Sequence, residues 1–194
     1  MHAMTWENGE LRVRITGGNA RGMSLVAPRS PNLRPTSDRV RISLFNLLGA
    51  AVAETKVLDL YAGSGALGIE ALSRGATSVD FVEADRRLCR VVKRNLESTG
   101  YHMHGSVHHA QVERALGFLN GPYQTVFLDP PYALAGLEHT ITVLGESTIL
   151  DLNATVVVEH SSRVSLGESY GSLTRLQARR YGDSAISIYQ VVKP

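Results

Sequence analysis

The 194-residue sequence has one cysteine and no long hydrophobic run. A single thiol cannot form an internal disulfide, and Cys89 falls within a helical pattern, where it is typical of a helix-face residue rather than a catalytic nucleophile. No apolar stretch approaches the roughly 20 residues that a bilayer-spanning helix needs, and the N-terminus lacks the apolar core of a signal peptide. The single cysteine and the lack of long apolar stretches argue against a disulfide-rich secreted protein and predict a cytoplasmic protein with no membrane partner.

Lysine is absent from the most basic part of the chain. Between Leu11 and Arg41 there are seven arginines and one acid, so this segment carries +6 and the rest of the chain −4, for a total of +2. The guanidinium fork matches phosphate geometry, so the segment predicts a nucleic-acid-binding arm, with an ordinary solvated surface as the alternative. The arginines expected to contact nucleic acid are Arg12, Arg14, Arg21 and Arg34.

Strand-like and helix-like patterns alternate after this arm. The alternation predicts right-handed βαβ units with a mostly parallel sheet. We expect an N-terminal arm over 1–36 and one α/β domain over 37–194. Strands are expected near 56–60, 78–83, 105–109, 123–128 and 154–159, and helices near 66–74, 85–98, 111–119 and 135–145.

Hairpins are expected at both ends of the chain. Leu11–Thr16 and Met23–Val26 alternate apolar with polar residues on either side of a glycine-containing turn, which predicts an N-terminal β-hairpin. Residues 1–10 show no periodicity, so no element is expected there. Leu173–Arg180 and Ala185–Val192 flank a short turn without a helix and predict an antiparallel hairpin on the sheet edge.

A glycine-rich turn follows the first strand of the α/β domain. Glycines accept positive φ and let the backbone approach a ligand closely, so the turn predicts a cofactor cradle. The pattern Gly63-x-Gly65-x-x-Gly68 with the later acid Glu83 formally fits a dinucleotide site, but Asp59 at the strand end favours S-adenosylmethionine, whose charged methionine portion it could meet. The cofactor contacts expected here are Asp59, Ala62, Gly63, Ser64, Gly65 and Glu83.

The run Asp129-Pro130-Pro131-Tyr132 ends the apolar strand near 123–128. Neither proline has an N–H and each fixes its own φ, so the strand must stop at a stiff corner. The corner offers an acid, carbonyl groups and an aromatic ring, a set that suits holding a flat heterocycle by its amino group. We expect Asp129 and the Pro130 carbonyl to accept hydrogen bonds from that amine, and Tyr132 to stack on the extruded base.

Six stretches of the sequence occur together in one known family. They are Arg34-Pro35-Thr36-Ser37-Asp38-Arg39-Val40-Arg41, Ser43-Leu44-Phe45-Asn46, Asp59 to Gly68, Glu70-Ala71-Leu72-Ser73-Arg74-Gly75, Asp129 to Tyr132 and Arg180-Tyr181-Gly182-Asp183. Together they resemble the RsmD family, bacterial enzymes that methylate N2 of one guanine, guanine 966, in 16S ribosomal RNA. The resemblance extends from about Arg14 to the C-terminus. It implies a Rossmann-like class I S-adenosylmethionine-dependent methyltransferase fold, with a seven-stranded sheet, helices on both faces, an antiparallel C-terminal edge hairpin and an N-terminal β-hairpin extension.

The resemblance also implies a substrate and further cofactor contacts. The substrate would be 16S ribosomal RNA within the small ribosomal subunit or a late precursor, with the enzyme acting as a monomer. Thr36 and Arg39 would close over the methionine carboxylate of S-adenosylmethionine. Gln111 stands where the family usually has Asp or Asn near the cofactor adenine, and a glutamine carbonyl can still accept from the adenine amino group. Ile42 stands where the family usually has Glu.

Two other functions stay open at this point. The Asp-Pro-Pro-Tyr motif also occurs in enzymes that methylate adenine N6 in DNA or RNA, and a catalytically silent RNA-binding ribosome-assembly factor could keep the cofactor fold. A metal site is not expected. The histidines that come closest to a metal-binding pattern straddle a loop and a strand, with no acid or thiol joining them. They are His102, His104, His108 and His109.

Overall fold

An antiparallel sheet of three strands forms the start of the protein. The structure, a computed structural model, describes residues 4–7, 10–27, 38–131 and 136–192. The strands of this N-terminal sheet are β1 (Met4–Glu7), β2 (Glu10–Arg14) and β3 (Ser24–Ala27), in that order. β2 and β3 confirm the predicted hairpin, whereas β1 lies where no element was expected. Four residues are too few for a period to show, and β1 is held by its pairing with β2.

The larger sheet contains eight strands in the order β6-β5-β4-β7-β8-β11-β10-β9. The first five of these run parallel to one another, and the last three continue antiparallel. In chain order the strands are β4 (Lys56–Leu60), β5 (Ser78–Glu83), β6 (Gly105–His109), β7 (Tyr123–Leu128), β8 (Leu150–Ser161), β9 (Ser169–Tyr170), β10 (Leu173–Tyr181) and β11 (Ser184–Val191).

The mostly parallel sheet and its C-terminal antiparallel hairpin confirm the predicted fold class. The sheet has one strand more than the seven expected, because the two-residue β9 pairs with the start of β10 and is too short to produce a sequence pattern. β8 is longer than expected at both ends, because Leu150 pairs with Tyr123 on β7 and His160 and Ser161 pair with β11.

Five α-helices are formed by the described residues. They are α1 (Asp38–Leu48), α2 (Ala66–Ser73), α3 (Arg86–Thr99), α4 (Val112–Leu116) and α5 (Leu137–Glu146). Asp85 caps the N-terminus of α3, where its carboxylate accepts a hydrogen bond from the Arg87 amide at 2.7 Å. Gly100, with a φ of +79°, caps the C-terminus. None of these helices is both long and apolar enough to cross a membrane.

The large sheet is buried on both faces. On one face, Val57 and Phe81 belong to a core that includes residues of α1, α2, α3 and the N-terminal sheet. On the other face, Leu58 and Leu60 pack with α4 and α5. Because alternate residues of β4 point to opposite faces, this one strand contributes to both cores and its C-terminal end is held firmly.

The N-terminal sheet is attached to α2 by buried polar groups. Glu70, which is fully buried in α2, accepts hydrogen bonds from the Thr16 amide at 2.8 Å and the Thr16 hydroxyl at 2.7 Å. Its carboxylate also pairs with Arg74 at 2.9 Å and with Arg41 at 3.5 Å. The predicted boundary between arm and domain, at residues 36 and 37, lies outside the described residues.

Candidate active site

The glycine turn leaves β4 through backbone conformations that favour glycine. Gly63 has a φ of +56° and Gly65 a φ of +79°, and α2 begins directly after Gly65. Gly68 serves packing instead, since a Cβ there would lie 2.3 Å from the Phe81 ring on β5. Glycine at this position therefore lets α2 approach the sheet closely and keeps the turn at the end of β4.

Asp59 lies beneath the turn. Its side chain is 1% exposed, and one carboxyl oxygen accepts a hydrogen bond from the Gly68 amide at 2.9 Å. Burial raises the pKa of Asp59 to about 8; the Gly68 hydrogen bond opposes that rise and the charge of Glu83 adds to it. Asp59 is thus placed to support the turn through the first part of α2. Its predicted contact with the methionine portion of the cofactor stays a prediction.

Glu83 joins the glycine turn to the start of α3. One of its carboxylate oxygens accepts a hydrogen bond from the Gly63 amide at 2.9 Å, and the other accepts one from the Asp85 amide at 2.8 Å. A carboxylate has about four acceptor sites, so two remain for hydroxyl groups of a ligand. The predicted ribose-binding acid therefore lies at the C-terminal end of β5, beside the turn and in a fixed orientation.

Gln111 lies at the same edge of the sheet. It precedes α4, is exposed, and makes no side-chain cap to that helix. The neighbouring Ala110 amide donates to the Glu83 carbonyl at 3.1 Å, which brings the segment after β6 next to the acid. The predicted contact of Gln111 with the adenine stays a prediction.

Asp129 and Pro130 stand at the end of β7, the neighbour of β4. Leu60 lies opposite Leu128 in the parallel pairing, and the Asp129 amide donates to the Leu60 carbonyl at 3.4 Å. Asp129 is half-buried and Pro130 is buried. The ends of β4 and β7 lie side by side at the point where the strand order changes direction: β5 and β6 lie on one side of β4, and β7 and β8 lie on the other. Open α/β sheets bind ligands at such a point.

Other predicted site residues are not brought together by the described structure. Thr36, Arg34 and Tyr132 lie outside the described residues. Arg39 is exposed at the start of α1 and has no hydrogen-bond or ion-pair partner within the part of the chain that the structure describes. Its predicted role at the methionine carboxylate therefore stays a prediction.

The predicted RNA-binding arginines differ in exposure. Arg14 is exposed on β2, Arg21 is exposed in the turn between β2 and β3, and Arg12 is half-buried. Arg41, one of the seven arginines in the basic segment, is 1% exposed; it donates to the Arg14 carbonyl and pairs with Glu70. The segment therefore exposes less positive charge than its sequence indicates, because Arg41 is buried, where it stabilises the attachment of the N-terminal sheet.

Tyr61 is a feature that the sequence did not reveal. It directly follows β4 and has a φ of +61°, a left-handed conformation that is uncommon for an aromatic residue. Its hydroxyl lies 3.4 Å from the Thr140 hydroxyl on α5, which donates to Glu113 on α4 at 3.3 Å. Burial raises the pKa of Tyr61. These contacts link the start of the glycine turn to the two helices, α4 and α5, that pack on the Leu58 and Leu60 face of the sheet.

The histidines have separate partners. His108 pairs with Asp80 on β5 at 2.7 Å, His109 contacts the Ala84 carbonyl at 3.0 Å, and His104 contacts a carbonyl at 3.1 Å. No group of three or more possible metal ligands occurs among residues 4–7, 10–27, 38–131 and 136–192.

An open sheet in this order, with a glycine turn after β4 and acids at the C-terminal ends of β4, β5 and β7, has the Rossmann-like fold of S-adenosylmethionine-dependent methyltransferases. The family described as Conserved hypothetical protein 95 matches residues 13–190. The chain belongs to this family, the RsmD family that its motifs resemble.

Relatives match nearly the whole chain. The chain is 36% identical over 188 residues to Ribosomal RNA small subunit methyltransferase D of Escherichia coli K12, covering 94% of this chain and 92% of the relative. It is 40% identical over 159 residues to the protein of the same name from Haemophilus influenzae, covering 78% and 80%. The solved structure of the "Putative methyltransferase yhhF" from Escherichia coli is 33% identical with a TM-score of 0.84, covering 93% of this chain and 98% of that one.

Proposed function

We propose that this protein transfers a methyl group from S-adenosylmethionine to the exocyclic N2 amine of guanine 966 in 16S ribosomal RNA. The names of both relatives support ribosomal RNA of the small subunit as the substrate. The observation that carries the proposal is the meeting of two strand ends, where the Asp129 amide reaches the Leu60 carbonyl at 3.4 Å. This contact supports the proposal because it brings Asp129, the expected acceptor for the amine, next to the strand end that leads into the glycine turn.

The glycine turn fits S-adenosylmethionine. Gly63 and Gly65 hold the turn in left-handed backbone conformations, with φ of +56° and +79°, and Glu83 keeps acceptor sites for a ribose diol. The cofactor supplies a methyl group on a positively charged sulfur, which makes that carbon electrophilic. The residues that would hold it are Ala62, Gly63, Ser64 and Gly65 near the methionine, Glu83 at the ribose, Gln111 at the adenine, and Thr36 with Arg39 at the carboxylate.

Asp129 and Pro130 would prepare the amine for attack. The lone pair of guanine N2 is delocalised into the ring, which makes the nitrogen a poor nucleophile. If the Asp129 carboxylate and the Pro130 carbonyl each accept one N–H, the nitrogen is drawn toward a tetrahedral shape and its lone pair is aimed in one direction. When the nitrogen gains the methyl group it must release one of its two protons, and Asp129 or water would accept that proton. Positioning of this kind can lower a barrier by roughly 7–11 kcal/mol in favourable cases. Tyr132 would stack on the base, a contact worth about 1–3 kcal/mol.

Methyl mapping on RNA tests the proposal. Small ribosomal subunits that lack the modification are incubated with the protein and S-adenosylmethionine, and mass spectrometry then identifies the nucleotide that gains a methyl group. We expect N2-methylguanine at position 966. The Asp129→Ala variant should lose turnover, while its affinity for S-adenosylmethionine, measured by calorimetry, stays near that of the wild type because the cofactor contacts are unchanged.

Each other outcome has a defined meaning. A methyl group on adenine N6 would favour the alternative methyltransferase. No transfer to any small-subunit particle would favour a silent RNA-binding factor. An Asp129→Ala variant with wild-type turnover would remove Asp129 from the mechanism, even if guanine N2 is the target.

A further inference from the structure

Helix α3 carries an unusual concentration of positive charge. It has five basic residues and one acid, a net charge of +4 over its 14 residues. All five basic side chains are exposed. They are Arg86, Arg87, Arg90, Lys93 and Arg94.

This charge works against the stability of the helix. The first turn of α3 holds two arginines and no acid, although the positive end of the helix dipole disfavours cations there. Arg86 and Arg90 are four residues apart, a spacing at which like charges destabilise a helix by a few tenths of a kcal/mol. The Asp85 cap and the buried side chains of Val92 and Leu96 already stabilise α3. The folding of α3 therefore does not depend on Arg86 or Arg90.

A cavity of about 250 Å³ lies between α3 and β6, the edge strand of the large sheet. Three of the basic side chains line it, and none of the three has a hydrogen-bond or ion-pair partner within the described part of the chain. The volume is below the roughly 300–1,000 Å³ of typical pockets for organic ligands, so it suits a small anionic group better. The lining residues are Arg86, Cys89, Arg90, Lys93, Val107 and His109.

The chemistry of the pocket favours an anion with several oxygens. Two guanidinium groups and an ammonium face the space, and the arginine fork binds phosphate in a bidentate manner. Burial raises the pKa of the Cys89 thiol, so that group stays neutral and does not cancel the positive charge. Two acids lie near the start of the helix: Asp85 pairs with Arg87 at 3.4 Å, and Glu83 accepts hydrogen bonds from the Gly63 and Asp85 amides.

The pocket also lies next to the proposed active site. His109 ends β6, two residues before Gln111, and Arg86 is three residues after Glu83. On its other side, α3 is joined to β3 by Asn95, whose amide accepts from the Val26 amide and donates to the Val26 carbonyl, both at 2.9 Å. α3 therefore lies between the N-terminal sheet and the outer edge at β6.

We infer that this α3 pocket binds phosphodiester groups of the RNA substrate, as a contact site separate from the arginines of the N-terminal sheet. The inference rests on the proposed function for the identity of the RNA. It assigns the pocket a role in holding the substrate and none in the methyl-transfer step.

Salt-dependent RNA binding tests the inference. The Arg86→Gln/Arg90→Gln variant is compared with the wild type by fluorescence anisotropy, using a labelled single-stranded RNA with the sequence around guanine 966. Each lost phosphate contact on single-stranded RNA lowers the log–log salt slope by about 0.7, so we expect a decrease of up to about 1.4. In methylation assays the KM for the subunit should rise while kcat stays near the wild-type value.

Two further variants serve as controls. Arg163→Gln/Arg179→Gln removes the same charge from exposed positions, since Arg163 follows β8 and Arg179 lies in β10, several strands away from β6 in the sheet. This variant should leave the slope unchanged. Arg86→Lys/Arg90→Lys keeps the charge and should retain most of the slope. A wild-type slope in the glutamine variant, or an equal decrease in the distant control, would overturn the inference while leaving the methyltransferase function intact. If the wild type methylates nothing, the proposed function fails, and the slopes still decide whether the pocket binds RNA.

Discussion

The buried carboxyl group of Asp59 makes a specific prediction about stability and pH. Its pKa is about 8 in the folded protein against 3.8 for an ordinary aspartate. Between these values the folded state keeps the proton and the unfolded state has lost it, so this group makes the free energy of unfolding fall as the pH rises. The change is about 1.4 kcal/mol per pH unit, which gives about 3 kcal/mol between pH 5.5 and pH 7.5.

The Asp59→Asn variant removes this titration and keeps an oxygen that can accept from the Gly68 amide. The free energy of unfolding of both proteins is measured by urea denaturation at pH 5.5 and pH 7.5. The variant should gain about 3 kcal/mol relative to the wild type over this interval, because titrations of other groups cancel in the comparison. Ionised Asp59 would then oppose folding above pH 8, where the effect levels off.

A control variant separates burial from the mere loss of an acid. Asp85 is exposed, and the hydrogen bond from the Arg87 amide lowers the pKa of its carboxyl. Asp85 therefore stays ionised in both folded and unfolded states over the same interval, and the Asp85→Asn variant should differ from the wild type by the same amount at both pH values. If Asp59→Asn behaves like Asp85→Asn, Asp59 titrates normally and the assigned burial effect is wrong.

The remaining predictions concern packing, stacking and charge. Gly68→Ala should lower the free energy of unfolding by about 1–3 kcal/mol, because the new Cβ meets the Phe81 ring at 2.3 Å, and an unchanged urea midpoint would contradict this packing. Tyr132→Phe should change kcat little and Tyr132→Ala should lower it strongly; equal losses would indicate that the hydroxyl matters rather than stacking. Arg14→Gln/Arg21→Gln should lower the salt slope of single-stranded RNA binding by up to about 1.4, whereas an unchanged slope would make both arginines ordinary surface residues.

The sequence predicted best those features that end a strand with a distinctive residue. The glycines after β4 and the prolines after β7 cannot continue a strand, so both boundaries could be read directly. Glu83 was located by its spacing from the glycine turn, and its hydrogen bond to Gly63 confirms that the two lie together. These signals are local, and local signals are what a single sequence contains.

Features that depend on distant partners could not be predicted. The positive φ of Tyr61 is maintained beside Thr140, a residue 79 positions later, and no rule would place an aromatic residue in that conformation. Arg41 looked like a surface cation because its partner Glu70 lies on another helix and is itself buried. The strand β1 needed β2 beside it before it could be recognised. In each case the determining interaction is tertiary.

Asn95 connects α3 to the N-terminal sheet and to the glycine turn. Its buried amide accepts one hydrogen bond from Val26 and donates to the Val26 carbonyl and to the Ser64 carbonyl, each at 2.9 Å. Losing such a partner inside a protein costs about 1–3 kcal/mol, so the amide fixes the N-terminal sheet and the glycine turn in one arrangement. The same helix presents its arginines to the cavity at β6. RNA bound by the N-terminal sheet or by α3, as proposed here, would therefore be positioned relative to the turn that would hold the methyl donor.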